Sequence, residues 1–297
     1  MPMRYDIQTL SAFVAVAEEG SITLAATRER TVASAISKRI SEMEKQCGVV
    51  LLHRHRRGVS LTPAGVELLR HAQKVMAELQ RLDHTLSDFG SGARGQVRVL
   101  ANTSAIVQFL PRDFASFMAL HPTVKLDLEE RTSDETQKIL LAGLADLGIL
   151  VTRQPIEGLD LQPYRRDRLL AVMPSSHPLA QLEQLRFADV LAYDHVGLPR
   201  GTSLCEMLID EARALGLPLR LRMQARSYEG LVHMVAAGIG LSLLPEGGVT
   251  PFLASQALVA RPLAEPWAAR ELVLATRTGQ PLTTVARLLH AHLLGAR

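Results

Sequence analysis

Residues Gly20 to Met43, GSITLAATRERTVASAISKRISEM, carry the grammar of two short helices around a tight connection. Ser21 or Thr23 can cap the first helix, and Ala25 and Ala26 permit close helix–helix approach. The chain breaks near Thr31, a β-branched residue whose hydroxyl can cap the second helix. In that helix Ile36, Ile40 and Met43 recur at i, i+4 and i+7, while Ala33, Ser34, Ser37, Lys38 and Ser41 share the opposite face. That face is small, hydroxyl-bearing and basic, which suits a helix lying in a DNA major groove. On these residues alone an ordinary amphipathic surface helix is an equally good reading. The flanks have to decide.

Upstream, Ile7, Leu10, Phe13, Val14 and Ala17 form a helical stripe that stops before Glu18-Glu19-Gly20. Downstream, Gly48 ends the second helix of the pair and Val49–Leu52 reads as extended. His53-Arg54-His55-Arg56-Arg57-Gly58 then reads as a basic turn, and Val59 and Leu61 as a returning strand. A cation-tipped hairpin after a helix-turn-helix is the wing of a winged helix, and arginines there neutralise phosphate rather than read bases. Thr62-Pro63 is a strong helix start. Leu68, Ala72, Val75, Leu79, Leu82, Leu86 and Phe89 come next at alternating spacings of four and three, a heptad seam that predicts self-association through a long dimerisation helix. Gly90 to Gly95 reads as a flexible linker.

Charge is unevenly spread. From Arg28 to Arg57 eight Lys or Arg stand against three Glu, a net +5, which leaves −2 for the rest of a chain of formal charge +3. A basic segment on a near-neutral body points to a nucleic-acid module joined to something else. The chain has 297 residues, 47% of them hydrophobic, enough for two or three domains with a sizeable core. Its N-terminus shows no signal-peptide pattern and no window resembles a membrane span, so a cytoplasmic protein is expected. Cys47 and Cys205 stand alone, and His53, His55, His290 and His292 form no ligand cluster, so neither a disulfide framework nor a metal site is expected.

From Gln96 the pattern changes to alternating strands and helices. Val97–Ala101, Val124–Leu128, Leu147–Val151, Leu169–Met173, Asp194–Leu198, Leu219–Ala225, Ile239–Leu244 and Glu271–Thr276 read as strands. Helices are expected from Asn102-Thr103-Ser104, from Pro111 to about Leu120, from the capping-box spacing Thr132 to Glu135, near 203–215 and 228–237, and over Leu282–Leu294. A largely parallel α/β body is the expectation.

Together these features resemble the LysR-type transcriptional regulators over the whole chain. The resemblance rests on Phe13 to Ser21, Ala25-Ala26, Ser34 to Ile40, Glu42-Met43-Glu44 and Arg57 to Gly65, with Ala145 to Ile149 and Ala237 to Leu241 further on. It implies an α+β multidomain fold: a winged helix-turn-helix over 1–63, a linker and dimerisation helix over 64–94, and a two-lobed α/β domain of the type II periplasmic-binding-protein kind over 95–297. Lobe I would take about 95–165 and 268–297, and lobe II about 166–267, with crossings near Tyr164–Arg168 and Pro266–Arg270. The implied partners are double-stranded promoter DNA, a small-molecule effector between the lobes, further copies of the chain as homodimer or homotetramer, and RNA polymerase. No cofactor is implied. The sequence departs from the family at Glu29, usually Leu, at Val32, usually Ser or Thr, at Ala33, often Gln or Pro, and at Ile22, usually Phe. A Gln-type base contact is therefore missing at Ala33, and the cap is expected to shift to Thr31.

The expected DNA contacts are Ser21, Arg30, Ala33, Ser34, Ser37, Lys38, Arg39, Arg54, Arg56 and Arg57. For an effector the candidates are hydroxyls at helix starts, where free N–H groups favour anions: Thr103, Ser104, Thr202 and Ser203. These four serve equally well as plain helix caps. Further candidates are Thr152 at a strand end, Ser227 at another helix start, and Arg226, which pairs either with an acidic ligand or with a surface carboxylate. Cys205, in a first helical turn, reads as packing or as an activated thiol. The rival reading is a soluble binding protein or enzyme whose N-terminal helices serve assembly. Against an enzyme, the chain holds no G-x-S-x-G, P-loop or H-E-x-x-H, and Gly238-Ile239-Gly240 lacks a third phosphate-loop glycine.

Overall fold

The structure, a computed structural model, describes residues 5–55, 58–91, 95–152, 154–254 and 257–295, with side chains apart from those at 80, 81 and 83–91. Helix α1 (Ile7–Glu19) starts on Asp6, whose carboxylate accepts from the Thr9 N–H at 2.7 Å. It ends at Gly20, where φ of 62° requires a residue without Cβ strain. Ser21 caps α2 (Ile22–Arg28). Arg30 then takes φ of 53° and turns the chain toward α3 (Ala33–Cys47). Thr31 does not cap α3, contrary to the sequence expectation. Its N–H closes α2 on the Ala26 carbonyl at 2.9 Å, and the cap falls to Val32, which has no side-chain acceptor to offer.

Phe13, Val16, Ala25, Ile36, Ile40 and Met43 meet Leu51 and Leu52 in one small core. The wing is β1 (Leu52–His55) paired antiparallel with β2 (Gly58–Leu61), joining Leu52 to Leu61 and Arg54 to Val59. His53, Arg54 and His55 are thus strand, not turn, and the strand begins later than Val49. The Glu44 carboxylate accepts from the N–H groups of Leu51 and Leu52, so this approach is tied to α3 before pairing starts. Val59 donates to the Gly20 carbonyl at 2.8 Å, and a Cβ on Gly58 would lie 2.4 Å from that oxygen. Only glycine lets the wing approach so closely.

Helix α4 (Pro63–Ser91) starts on Thr62, whose hydroxyl accepts from Gly65 N–H and donates to the Val50 carbonyl. Gly90 and Ser91 continue it rather than opening a linker, since one glycine costs a long helix only about 1 kcal/mol. The chain forms two compact units divided within α4.

The second unit contains β3 (Gly95–Ala101), α5 (Thr103–Gln108), α6 (Leu110–Leu120), β4 (Val124–Glu130), α7 (Ser133–Leu141), β5 (Leu147–Val151) and β6 (Leu159–Pro174). Next come α8 (Phe187–Val190), β7 (His195–Gly197), α9 (Ser203–Ala214), β8 (Leu221–Gln224), α10 (Tyr228–Ala236) and β9 (Ser242–Pro245). The chain closes with α11 (Glu246–Leu253), β10 (Leu258–Pro262), β11 (Ala269–Arg277) and α12 (Thr284–Gly295). In the first lobe β3 lies parallel between β4 and β5, while β11 runs antiparallel to β5 and to the first part of β6. Val97, Val99, Phe117, Ile149 and Leu289 fill one face of this sheet, and Leu100, Leu140 and Leu150 the other. In the second lobe the rest of β6 pairs antiparallel with β9 and β10, and β7 lies parallel to β8.

The body is therefore mixed rather than largely parallel. The physical reason is β6: up to Arg168 it pairs with β11, and from Leu169 it pairs with β9 and β10, so one 16-residue strand serves both lobes. Among the described residues no helix is long and apolar enough to cross a membrane.

Candidate nucleic-acid interface and ligand cleft

On α3, Ser34, Lys38 and Ser41 are exposed, Ser37 is half-buried, and Ala33 packs partly against the core. Ser21 is the cap of α2 and Arg30 sits exposed in the turn. Arg54 reaches from the wing to α3, donating from Nη1 to Ser37 Oγ at 2.8 Å and from Nη2 to Ser41 Oγ at 3.0 Å. It thereby joins wing and helix into one hydroxyl-and-guanidinium surface. Among the described residues Lys38 has a single ion-pair approach, to Glu42 at 3.9 Å. Arg39 points elsewhere, donating to Gln8 on α1 at 2.9 Å, with Asp6 at 3.8 Å. Arg56 and Arg57 lie outside the described residues. Without a side-chain cap at Val32, the first N–H groups of α3 stay available to an oxyanion.

The second unit holds a cavity of about 270 Å³ lined by both lobes. Thr103, Ser104, Thr202, Ser203 and Arg226 all line it. Thr103 donates to Glu130; Asn102 supplies the cap of α5. Thr202 caps α9, and Ser203 Oγ accepts from the Ser133 N–H at 3.0 Å, a direct bond between the lobes. Thr152 turns back on Gln154 and lines a neighbouring cavity of about 450 Å³. Ser227 caps α10 and lines neither cavity.

The floor holds residues the sequence reading missed. Arg270, 6% exposed, donates from Nε to Asp167 at 2.8 Å, from Nη2 to the other Asp167 oxygen, and from Nη2 to Ser104 Oγ at 3.1 Å. The Tyr228 hydroxyl lies 3.2 Å from Ser104, and Gln108 donates to Asp167 at 3.0 Å while accepting from Gly247 N–H. Burial, foremost, pushes the Tyr228 hydroxyl up to about 12, so it stays protonated at neutral pH. The one available signal was position: Asp167 and Arg270 fall in the two expected crossings. Burial, with Glu206 adding to it, pushes the Cys205 thiol up, the opposite of an activated thiolate.

Known proteins place this architecture. Residues 7–66 match the bacterial regulatory helix-turn-helix of the lysR family, and residues 90–297 match the LysR substrate-binding domain. YbhD, an HTH-type transcriptional regulator of Escherichia coli, is 27% identical over 98% of this chain and 92% of its own. The transcriptional dual regulator GltC of Bacillus subtilis is 27% identical over 81% of each chain. The fold is also that of full-length CbnR, solved in complex with its target DNA, at a TM-score of 0.72 and 21% identity over 99% of this chain and 100% of that one. The chain belongs to the LysR family: it is a DNA-binding transcriptional regulator with an effector-binding domain, not an enzyme.

Proposed function

We propose that this regulator reads promoter DNA with α3 and holds the duplex with its wing, under the control of a small molecule bound between the lobes. The observation that carries the DNA half is the surface made by Ser34, Lys38, Ser41 and the Arg54-bound Ser37. Lys38, Arg54 and the uncapped α3 N-terminus meet phosphate, and serine hydroxyls and Arg30 meet base edges. In this reading residues 1–63 bind DNA, 64–94 link and dimerise, and 95–297 sense the effector. Thr103, Ser104, Thr202, Ser203 and Arg226 line the cavity and are its contacts.

The strands β6 and β11 form the hinge, so closing the lobes on a ligand changes the strain carried by the rest of the chain. The exposed Val75 and Leu82 of α4 make it the pairing helix of a homodimer or a tetramer of two dimers. RNA polymerase is the further partner, and the cytoplasm the compartment. A footprint on DNA adjoining the protein's own gene tests the reading. We expect protection of a pseudo-palindromic site whose half-sites lie about one or more helical turns apart. Uniform protection without a preferred site would oppose it.

A further inference from the structure

The cavity between the lobes carries opposite charges on opposite walls. On the lobe I wall stand Glu130, at the end of β4, and Glu135, in the first turn of α7. Glu130's carboxylate has the Thr103 hydroxyl as its partner, and Glu135 accepts from the N–H and hydroxyl of Thr132. The Thr132 N–H, above all, holds Glu135 below the usual carboxylate range, so it is ionised at neutral pH. Arg131 lines the same wall, but its Nη2 is bound to Glu129 and its Nη1 donates to the Glu130 carbonyl at 3.3 Å, so its charge is already engaged there.

On the lobe II wall Arg226 makes no hydrogen bond or ion pair among the described residues. Between the walls Arg270 commits Nε and Nη2 to Asp167 and Ser104, which leaves Nη1 without a partner among the described residues. Ser203 accepts from Ser133 and keeps its own hydrogen to donate. A purely anionic ligand would confront Glu130 and Glu135, and a purely cationic one would confront Arg226. Val151, Leu198 and Leu204 give the cavity a small apolar lining, and its volume admits only a small molecule.

We propose that the effector is a small zwitterion of the amino-acid class, its ammonium toward Glu130 and Glu135 and its carboxylate toward Arg226, Ser203 and Nη1 of Arg270. This rests on the reading of the cleft as the effector site and adds the ligand's chemistry to it. The neighbouring cavity is lined by Asp134, Glu206 and Asp210, so an acidic ligand side chain is disfavoured against a neutral or basic one.

The test is calorimetry on the full-length protein with the twenty L-amino acids. Each binder is then compared with its des-amino acid and with its decarboxylated amine. We expect at least one amino acid to bind, with both truncated analogues about tenfold or more weaker. Glu130→Gln, which keeps the acceptor for Thr103, should weaken the amino acid about tenfold and leave the des-amino acid unchanged. Arg226→Gln should weaken the amino acid and spare the amine. Failure to bind any amino acid at millimolar concentration overturns the proposal, as does equal affinity for a des-amino acid. If that acid's binding is still lost in Arg226→Gln, the cleft survives as the effector site and only the zwitterion falls. Binding that neither substitution alters places the ligand elsewhere, and both readings fall.

Discussion

Asp167 and Arg270 are 1% and 4% exposed at their side chains, and each is bound twice by the other. Removing one partner of such a pair strands the other charge away from water, so Asp167→Ala should cost about 3–5 kcal/mol. Urea unfolding of the full-length protein measures this, and a loss below about 1 kcal/mol would mean that water reaches Arg270 freely. His195 raises a different question. It is 2% exposed with neither ring nitrogen hydrogen-bonded among the described residues, and burial, foremost, lowers its pKa to about 4 from 6.5. The folded form therefore binds fewer protons than the unfolded chain between these values. Stability present above pH 6.5 is lost as pH falls toward 4, by about 3 kcal/mol in all. His195→Gln should flatten that dependence in denaturation curves at stepped pH, and an unchanged curve would assign the titration to another group. For the Asp167–Arg270 pair the sequence offered a place in the expected lobe crossings but no pairing, and for His195 it offered nothing. Asp167 falls in the charged run Arg165-Arg166-Asp167-Arg168, which reads as a solvated face, and nothing local to it reveals that Arg270, 103 positions later, lies beside it.

At the level of elements, the helix-turn-helix and the long α4 were legible because their apolar periods are unbroken and their caps local. The turn before α3 was less so: Arg30 adopts a left-handed φ without the glycine that would have announced it. Four-residue α8 and the strand β10 were not foreseen: α8 is too short to show a helical period, and β10, LVARP, ends in Arg261-Pro262, which reads as a break rather than a strand. The 16-residue β6 was half seen, as Leu169–Met173, because its first part is interrupted by Pro163 and by the charged run Arg165 to Arg168, while its second is a continuous apolar run. The seam of α4 divides by use. Ala72 is buried and Leu68 packs on the DNA-binding core, whereas Val75 and Leu82 are 44% and 52% exposed. Leu86 and Phe89 continue it beyond the described side chains. Charges placed on that face should oppose pairing, so Leu79→Asp with Leu82→Asp is expected to halve the sedimenting mass or more. An unaltered mass would move the interface off this helix.

Across the whole molecule, one unit offers a basic hydroxyl-lined surface and the other a cavity whose walls belong to two lobes sharing β6 and β11. Family membership rests on both units, and the placement of the DNA-reading face on α3 is the claim specific to this chain. Lys38 is an exposed cation of that face, with a side chain 77% accessible. A lysine that neutralises one phosphate adds to affinity on any sequence and releases about one counterion. The decisive measurement is fluorescence anisotropy of the full-length protein on the DNA adjoining its own gene, titrated over a range of salt. Lys38→Ala is predicted to weaken binding on specific and unrelated DNA alike and to lower the salt slope by about one. An unchanged affinity with an unchanged slope would contradict the assignment of α3 as the face that meets DNA.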